Sequence, residues 1–387
     1  MKVLLAPDKF RGSFSAHEVA EAVAQGIRET APKATILIRP VFDGGEGTSE
    51  ALAGFISMDP RTVACENIAG QSINTTIYWL GDRRLALIES SQVLRTELPW
   101  TRDDFLRSSS WVLGKHIHRA LELRPKDLWL ACGGTLTADA GWGVACSFGI
   151  DGLDESGRVL EPSVSNMSRI ARVQVRGQNG IFERSALTLL CDVNAPLVAP
   201  GGVSLRTFLR QKGAAPGDEE GIVRGAMHFR EALDAAGLPV LAADAPFGGA
   251  AGGLAIGLGA VNSHMTCMPG AQLFMRVAAM RAAIAEADLV VCGEGRLDES
   301  TLYGKSPFAV AQLARELHVP AVGIFGNVAD RRLVDALGLR AAHIVDPTSS
   351  DTDPRQDAGW RDRLKGRRAQ LVEIGRSIGR SALSMTP

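Results

Sequence analysis

Residues 2–40 read KVLLAPDKFRGSFSAHEVAEAVAQGIRETAPKATILIRP. The apolar run KVLLAP stops at Pro7, as a short buried strand does. In SAHEVAEAVAQGIRE the apolar residues Val19, Ala20, Val23 and Ile27 recur at helical spacing, and Ser15 with Glu18 forms a capping box. ATILIRP is a second strand. Strand, helix and strand in this order make a β-α-β unit, which predicts a parallel sheet.

The same rhythm returns in the C-terminal third: DLVVCG, PFAVAQLAREL, PAVGIFG, RRLVDALG and AAHIVD alternate strand and helix. In the basic tail from Arg361 to Arg380, Leu364, Leu371, Ile374 and Ile378 share one helical stripe, which predicts a packed surface helix with a solvated face. The middle differs. RTVACENIAG and NTTIYWL alternate as antiparallel strands do, RRLALIES follows, and CGGTLTADAGWG, VAPGG and FGGAAGGLAIGLGA are rich in glycine. The expected fold is α/β with two lobes: a Rossmann-like parallel-sheet lobe built from both chain ends, residues 1–60 and 286–387, and an inserted mixed α/β lobe, residues 61–285. The active site is expected in the cleft between them, where ligands favour the carboxyl ends of parallel strands.

Composition narrows the class. The chain has 387 residues, 45% hydrophobic and 22% charged, as expected of a soluble globular protein. A net charge of −1 makes no electrostatic case for nucleic acid or an anionic membrane. No apolar stretch is long enough to span a bilayer, and MKVLLAPDKF is too short to be a signal segment, so a cytoplasmic location is expected. The six cysteines form no C-x-x-C pair and read as small buried hydrophobes in a reducing compartment.

Five segments share one design, an apolar run followed by glycine, acid and sometimes a base: LLAPDKFRGS, RPVFDGGEGT, WLACGGTLTADAG, LLCDVNAPL and LVVCGEGRLD. Glycine lets backbone N–H groups approach phosphate oxygens, carboxylates hold Mg²⁺ or orient a nucleophile, and Lys or Arg neutralises a phosphoryl group in transfer. Asp8, Lys9, Arg11, Asp43, Glu46, Asp139, Asp192, Glu294, Arg296, Asp298 and Lys305 supply all three jobs. Any one of them alone reads more often as a turn residue or a helix cap; the repetition carries the argument. No G-x-G-x-x-G occurs. Gly304–Ser306 resembles the end of a Walker A loop, but Glu299 stands where its first glycine belongs. Lys305 remains a candidate for phosphate contact. No H-E-x-x-H, zinc pattern or G-x-S-x-G elbow is present, and His116 and His118 are expected on the exposed side of an amphipathic helix.

The blocks APDKFRGSFSAHEVAEAVAQGI, PVFDGGEGTSEAL, GGTLTADAGWG, CDVNAPL, QKGA, GGAAGGLAIGL and GEGRLDESTLYGKSP resemble, in that order, the signature blocks of the bacterial glycerate kinase type-1 family. The resemblance runs from residue 3 to about residue 310. It implies ATP-dependent phosphorylation of D-glycerate with Mg²⁺, giving 2-phosphoglycerate, on two α/β lobes. Carried onto this chain, it implies Asp8, Asp192, Asp298, Arg296 and Arg11 as catalytic residues. Asp192, Asp298 and Glu294 are the implied metal ligands. The implied binding residues are Lys9, Ser13, Asp43, Gly44, Gly45, Glu46, Gly133, Gly134, Thr135, Thr137, Asp139, Asn194, Lys212, Gly252, Gly253, Gly293, Glu294, Gly295 and Lys305. The partner expected is a small hydroxy acid, and a homodimer is compatible with the sequence.

Departures from the family pattern fall in the middle of the chain as well as the first block. Lys9 replaces a serine and Arg11 a lysine, Ala138 stands where asparagine is usual, Leu136 and Ala195 differ, and SSQVLRT after Glu89 replaces ASGL. Two other readings follow from these changes: a kinase for a longer aldonate, and a binding protein without turnover.

Overall fold

The computed structural model describes residues 1–10, 12–177, 182–346, 364 and 366–383. The chain divides into two compact units, Met1–Asp43 with Ala271–Pro387, and Gly44–Gly270. These borders differ from those expected at 60/61 and 285/286. Helix Thr48–Phe55 packs on the strands Ser72–Leu80 and Leu85–Glu89, so it belongs with the middle unit, while helix Met280–Ala285 packs on helix Ser306–Glu316 in the other.

The strands are β1 (Lys2–Pro7), β2 (Thr35–Ile38), β3 (Asp59–Glu66), β4 (Ser72–Leu80), β5 (Leu85–Glu89), β6 (Asp127–Ala131), β7 (Ile150–Leu153), β8 (Arg172–Val175), β9 (Ala186–Cys191), β10 (Thr266–Pro269), β11 (Leu289–Leu297), β12 (Ala321–Val328) and β13 (Ala341–Ile344). In the unit made from both chain ends, five parallel strands run in the order β13-β12-β11-β1-β2. β1 and β11 lie side by side, with Val3 opposite Leu289 and Pro7 opposite Gly293. From that pair the chain order departs in opposite directions, so the carboxyl ends of β1 and β11 form the switch point where open α/β sheets bind ligands.

The helix predicted after β1 is Ala16–Thr30, and its capping box is complete: Ser15 Oγ accepts from Glu18 N, and Ser15 N donates to the Glu18 carboxylate at 2.8 Å. These bonds hold the Glu18 carboxyl below its usual range. Val19, Val23 and Ile27 are buried together with Leu364, Leu371, Ile374 and Ile378, so the stripe in the basic tail packs as expected on helix Arg368–Leu383. Arg361 lies outside the described residues.

The middle unit holds a six-stranded mixed sheet, order β10-β9-β6-β5-β4-β3, and a two-stranded pair β7-β8. β3-β4 and β4-β5 are antiparallel, whereas β5, β6, β9 and β10 run parallel. The alternating segments at 61–80 therefore form the antiparallel edge, and the apolar runs form the parallel part. His116 corrects one expectation. It lies in helix Trp111–Leu121 but is fully buried, with Nδ1 3.5 Å from Thr75 Oγ1, because this helix lays that face on β3 and β5. Burial pushes its pKa down to about 4. Among the described residues, no helix is long and apolar enough to cross a membrane.

Candidate active site

At the switch point, Asp8 follows β1 directly and its N–H donates to Gly293 O at 2.8 Å. The Asp8 carboxylate is buried and accepts the Lys9 N–H at 2.6 Å. Burial and then the Asp43 charge push its pKa up to about 7, against smaller opposing effects of Lys9 and Ser306. On the neighbouring strand, Glu294 is also buried. Its Oε1 accepts from Thr301 Oγ1 at 2.6 Å, and its Oε2 lies 3.9 Å from Lys305 Nζ. Burial raises its pKa to about 8; Lys305 and Thr301 pull it down, while Asp298 and Asp8 push it further up. Lys305 sits at the N-cap of helix Ser306–Glu316, so the positive end of that helix adds to its charge.

The rest of this segment is more ordinary. Asp298 starts the short turn Glu299–Tyr303, its Oδ1 accepting from Ser300 N at 2.9 Å and from Ser300 Oγ. Arg296 reaches toward Asp298 Oδ2 at 3.7 Å and donates to Asn327 Oδ1 at 3.3 Å. Gly293 has a packing reason: a Cβ there would lie 1.8 Å from Ile324 O on β12. Gly295 is buried within β11. Ser13 closes a tight turn, its Oγ donating to Phe10 O at 2.9 Å. Arg11 lies outside the described residues.

In the middle unit, the expected residues gather at the carboxyl ends of β5, β6 and β9. The Gly44–Gly47 run enters helix Thr48–Phe55, and Gly133 N donates to Gly44 O at 2.9 Å. A Cβ on Gly133 would lie 2.5 Å from Gly45 Cα and 3.0 Å from Asp192 Oδ2, so this contact requires glycine. Gly134 has φ 78°, a left-handed conformation. Lys212 is buried, and its Nζ donates to Thr135 O at 2.7 Å and Thr135 Oγ1 at 2.6 Å, which fixes the loop after β6. Asn194 is exposed two residues beyond Asp192.

Four expected binding residues also have a place in the architecture. Asp139 is fully buried and accepts from Ser110 N at 2.7 Å, Ser110 Oγ at 2.9 Å, Gly143 N at 3.0 Å, Gly141 N at 3.1 Å and Ser109 Oγ at 3.3 Å. Both of its oxygens thus staple helix Trp142–Ser147 to the start of helix Trp111–Leu121. A Cβ on Gly252 would lie 2.2 Å from Thr137 O, and one on Gly253 3.0 Å from Ala140 Cα. Thr137 is fully buried in this knot. The glycines there serve packing between segments.

The sequence reading passed over four residues. Glu89, at the end of β5, is buried and accepts from Gly47 N at 3.0 Å and Ser49 N at 3.1 Å, so it shapes the Gly44–Gly47 run. Arg95 pairs with Glu46. Thr301 and Ser306 flank Glu294 and Asp8. An acid at the end of a fully buried strand and an arginine inside the departing SSQVLRT block were the available signals.

As for Mg²⁺, no group of three or more His, Cys, Asp or Glu among the described residues is placed to hold a metal ion. Asp298 gives one oxygen to Ser300. The Asp43 charge raises Asp8, and the Asp8 charge raises Glu294, so carboxylates that suit an ion held by one or two acids and by phosphate oxygens act on one another here.

The model of the glycerate kinase family matches residues 3–360. A glycerate 2-kinase of Escherichia coli (strain K12) is 31% identical over 351 residues, covering 90% of each chain. A glycerate kinase of Halalkalibacterium halodurans is 29% identical over 381 residues, covering 98% of this chain and 99% of its own. A solved structure from Salmonella typhimurium LT2, assigned as a glycerate kinase 2, has a TM-score of 0.71 at 30% identity and covers 99% of this chain and 98% of that one.

Proposed function

The chain belongs to the glycerate kinase family, and on that premise we propose that it transfers the γ-phosphoryl group of ATP to a hydroxyl of D-glycerate, giving 2-phosphoglycerate. The observation that carries this reading is the group at the ends of β1 and β11: two buried carboxyls held near neutral pKa, of which Glu294 lies beside Lys305. A carboxylate near pKa 7 suits a general base, because it accepts a proton at working pH and gives it up again. Asp8 takes the hydroxyl proton as the oxygen attacks the γ-phosphorus, and ADP leaves with the electron pair of the broken bond. Lys305, Lys9 and Arg296 neutralise phosphate charge, and positioning with charge stabilisation supplies the rest of the acceleration. Glu294 and Asp43 would hold Mg²⁺, which when bound shields the negative phosphoryl oxygens. Gly133, Gly134, Thr135 and Asp192 remain candidates for contact with substrate or nucleotide.

The test is a panel of small hydroxy acids, D-glycerate and longer aldonates, in a coupled ADP assay with ATP and Mg²⁺, with NMR assignment of the phosphorylated carbon. D-glycerate as the best substrate, phosphorylated at carbon 2, is the expected result. A longer aldonate as clearly the best substrate would replace the substrate assignment, and no ADP release with any acid would end the kinase reading.

A further inference from the structure

Arg95 follows the turn that ends β5, in the block where this sequence departs from its family. Leu136 N donates to Leu94 O at 2.8 Å and ties this turn to the loop after β6. A Cβ at Gly134 would lie 3.3 Å from Ser91 Cβ, 3.8 Å from Arg95 Cδ and 3.9 Å from Glu46 N. The arginine stem thus runs directly over backbone that carries no side chain. Its guanidinium pairs with Glu46, with side-chain exposures of 30% and 49%, so a solute can reach both. Lys212, also a cation against this loop, is buried with its Nζ on Thr135.

A guanidinium is a planar fork that matches a carboxylate bidentately. An ion pair this exposed contributes little, about 0–1 kcal/mol, so an incoming carboxylate can exchange for the resident one at small cost. Gly134 has no side chain to stand between its own backbone and the Arg95 stem, so the fork lies beside exposed main chain of the loop after β6. We propose that Arg95 binds the carboxylate of the acceptor acid and sets specificity for acids over neutral polyols, and that Glu46 is the resting counter-ion which that carboxylate displaces. The choice of a hydroxy acid as ligand rests on the kinase reading above.

The experiment titrates D-glycerate, and glycerol as its neutral counterpart, into the full-length protein by calorimetry. Wild type is compared with Arg95→Ala, Arg95→Lys and Glu46→Gln, and KM for acid and ATP is measured alongside. Arg95→Ala should weaken glycerate binding about 10- to 100-fold, the range expected for losing charge-assisted hydrogen bonds, and raise its KM equally. KM for ATP should stay within about twofold. Arg95→Lys should fall between, and it retains the stem and charge should the alanine variant not fold. Glu46→Gln, which removes the competing carboxylate, should tighten glycerate binding, a direction that a merely structural pair does not give. Wild-type glycerate affinity in Arg95→Ala, an equal loss for glycerol, weaker binding in Glu46→Gln, or no saturable glycerate binding by wild type would each overturn the proposal. Arg95-dependent binding without ADP release would sink the kinase reading and leave this assignment standing. Turnover with an unchanged KM in Arg95→Ala would do the reverse.

Discussion

Asp8 and Asp139 are both buried aspartates in loops that leave a parallel strand, and their surroundings are opposite in kind. Asp139 is met by three backbone N–H groups and two serine hydroxyls. Asp8 receives the N–H of its neighbour and faces the charge of Asp43. Burial raises the pKa of both. The difference lies in what the surrounding chain supplies. A buried carboxylate saturated with donors builds architecture, because its removal leaves several N–H groups without an acceptor. One set beside a like charge is held in electrostatic tension, which is how enzymes bring an acid to a working pKa.

The largest effect that can break this comparison is on turnover. Asp8→Asn keeps the side-chain volume and removes the base, so kcat should fall roughly 10²- to 10⁴-fold with the far-UV spectrum maintained. An unchanged kcat would show that Asp8 is not the base. The second effect is on stability. Asp139→Asn turns an NH₂ group toward donors and should cost on the order of 2–4 kcal/mol in urea unfolding, while turnover per folded molecule falls far less than in Asp8→Asn. If Asp139→Asn unfolds like wild type but loses turnover, the two residues have exchanged roles.

Much of the fold was legible from periodicity. Val19, Val23 and Ile27, the capping box at Ser15, and the stripe at Leu371, Ile374 and Ile378 all specify elements through local spacing, and the structure forms those elements. The candidate site was legible as a set of strand ends. It was not legible which acids would be saturated, since Asp139 and Asp8 both simply follow an apolar strand in one dimension. The donors to Asp139 come partly from Ser109 and Ser110, about thirty residues away in sequence. The close neighbours of Gly252 and Gly253 at Thr137 and Ala140 were hidden in the same way, because tertiary packing sets them. His116 shows the limit of amphipathic patterning: a polar residue at the edge of the stripe was enclosed once β3 and β5 were laid on the helix.

The pH dependence of stability tests the claimed tension most directly. In the fold, Asp8 and Glu294 hold their protons up to about pH 7 and 8; unfolded, they release them near their ordinary values of 3.8 and 4.5. Between these limits the native state binds more protons than the unfolded chain, so wild type loses stability as pH rises. The double variant Asp8→Asn, Glu294→Gln carries no charge at either position. Measured by urea unfolding from pH 4 to pH 9, its stability relative to wild type should climb from about pH 4 and level off above about pH 8. A difference that stays flat, or that climbs as the pH falls, would contradict the account.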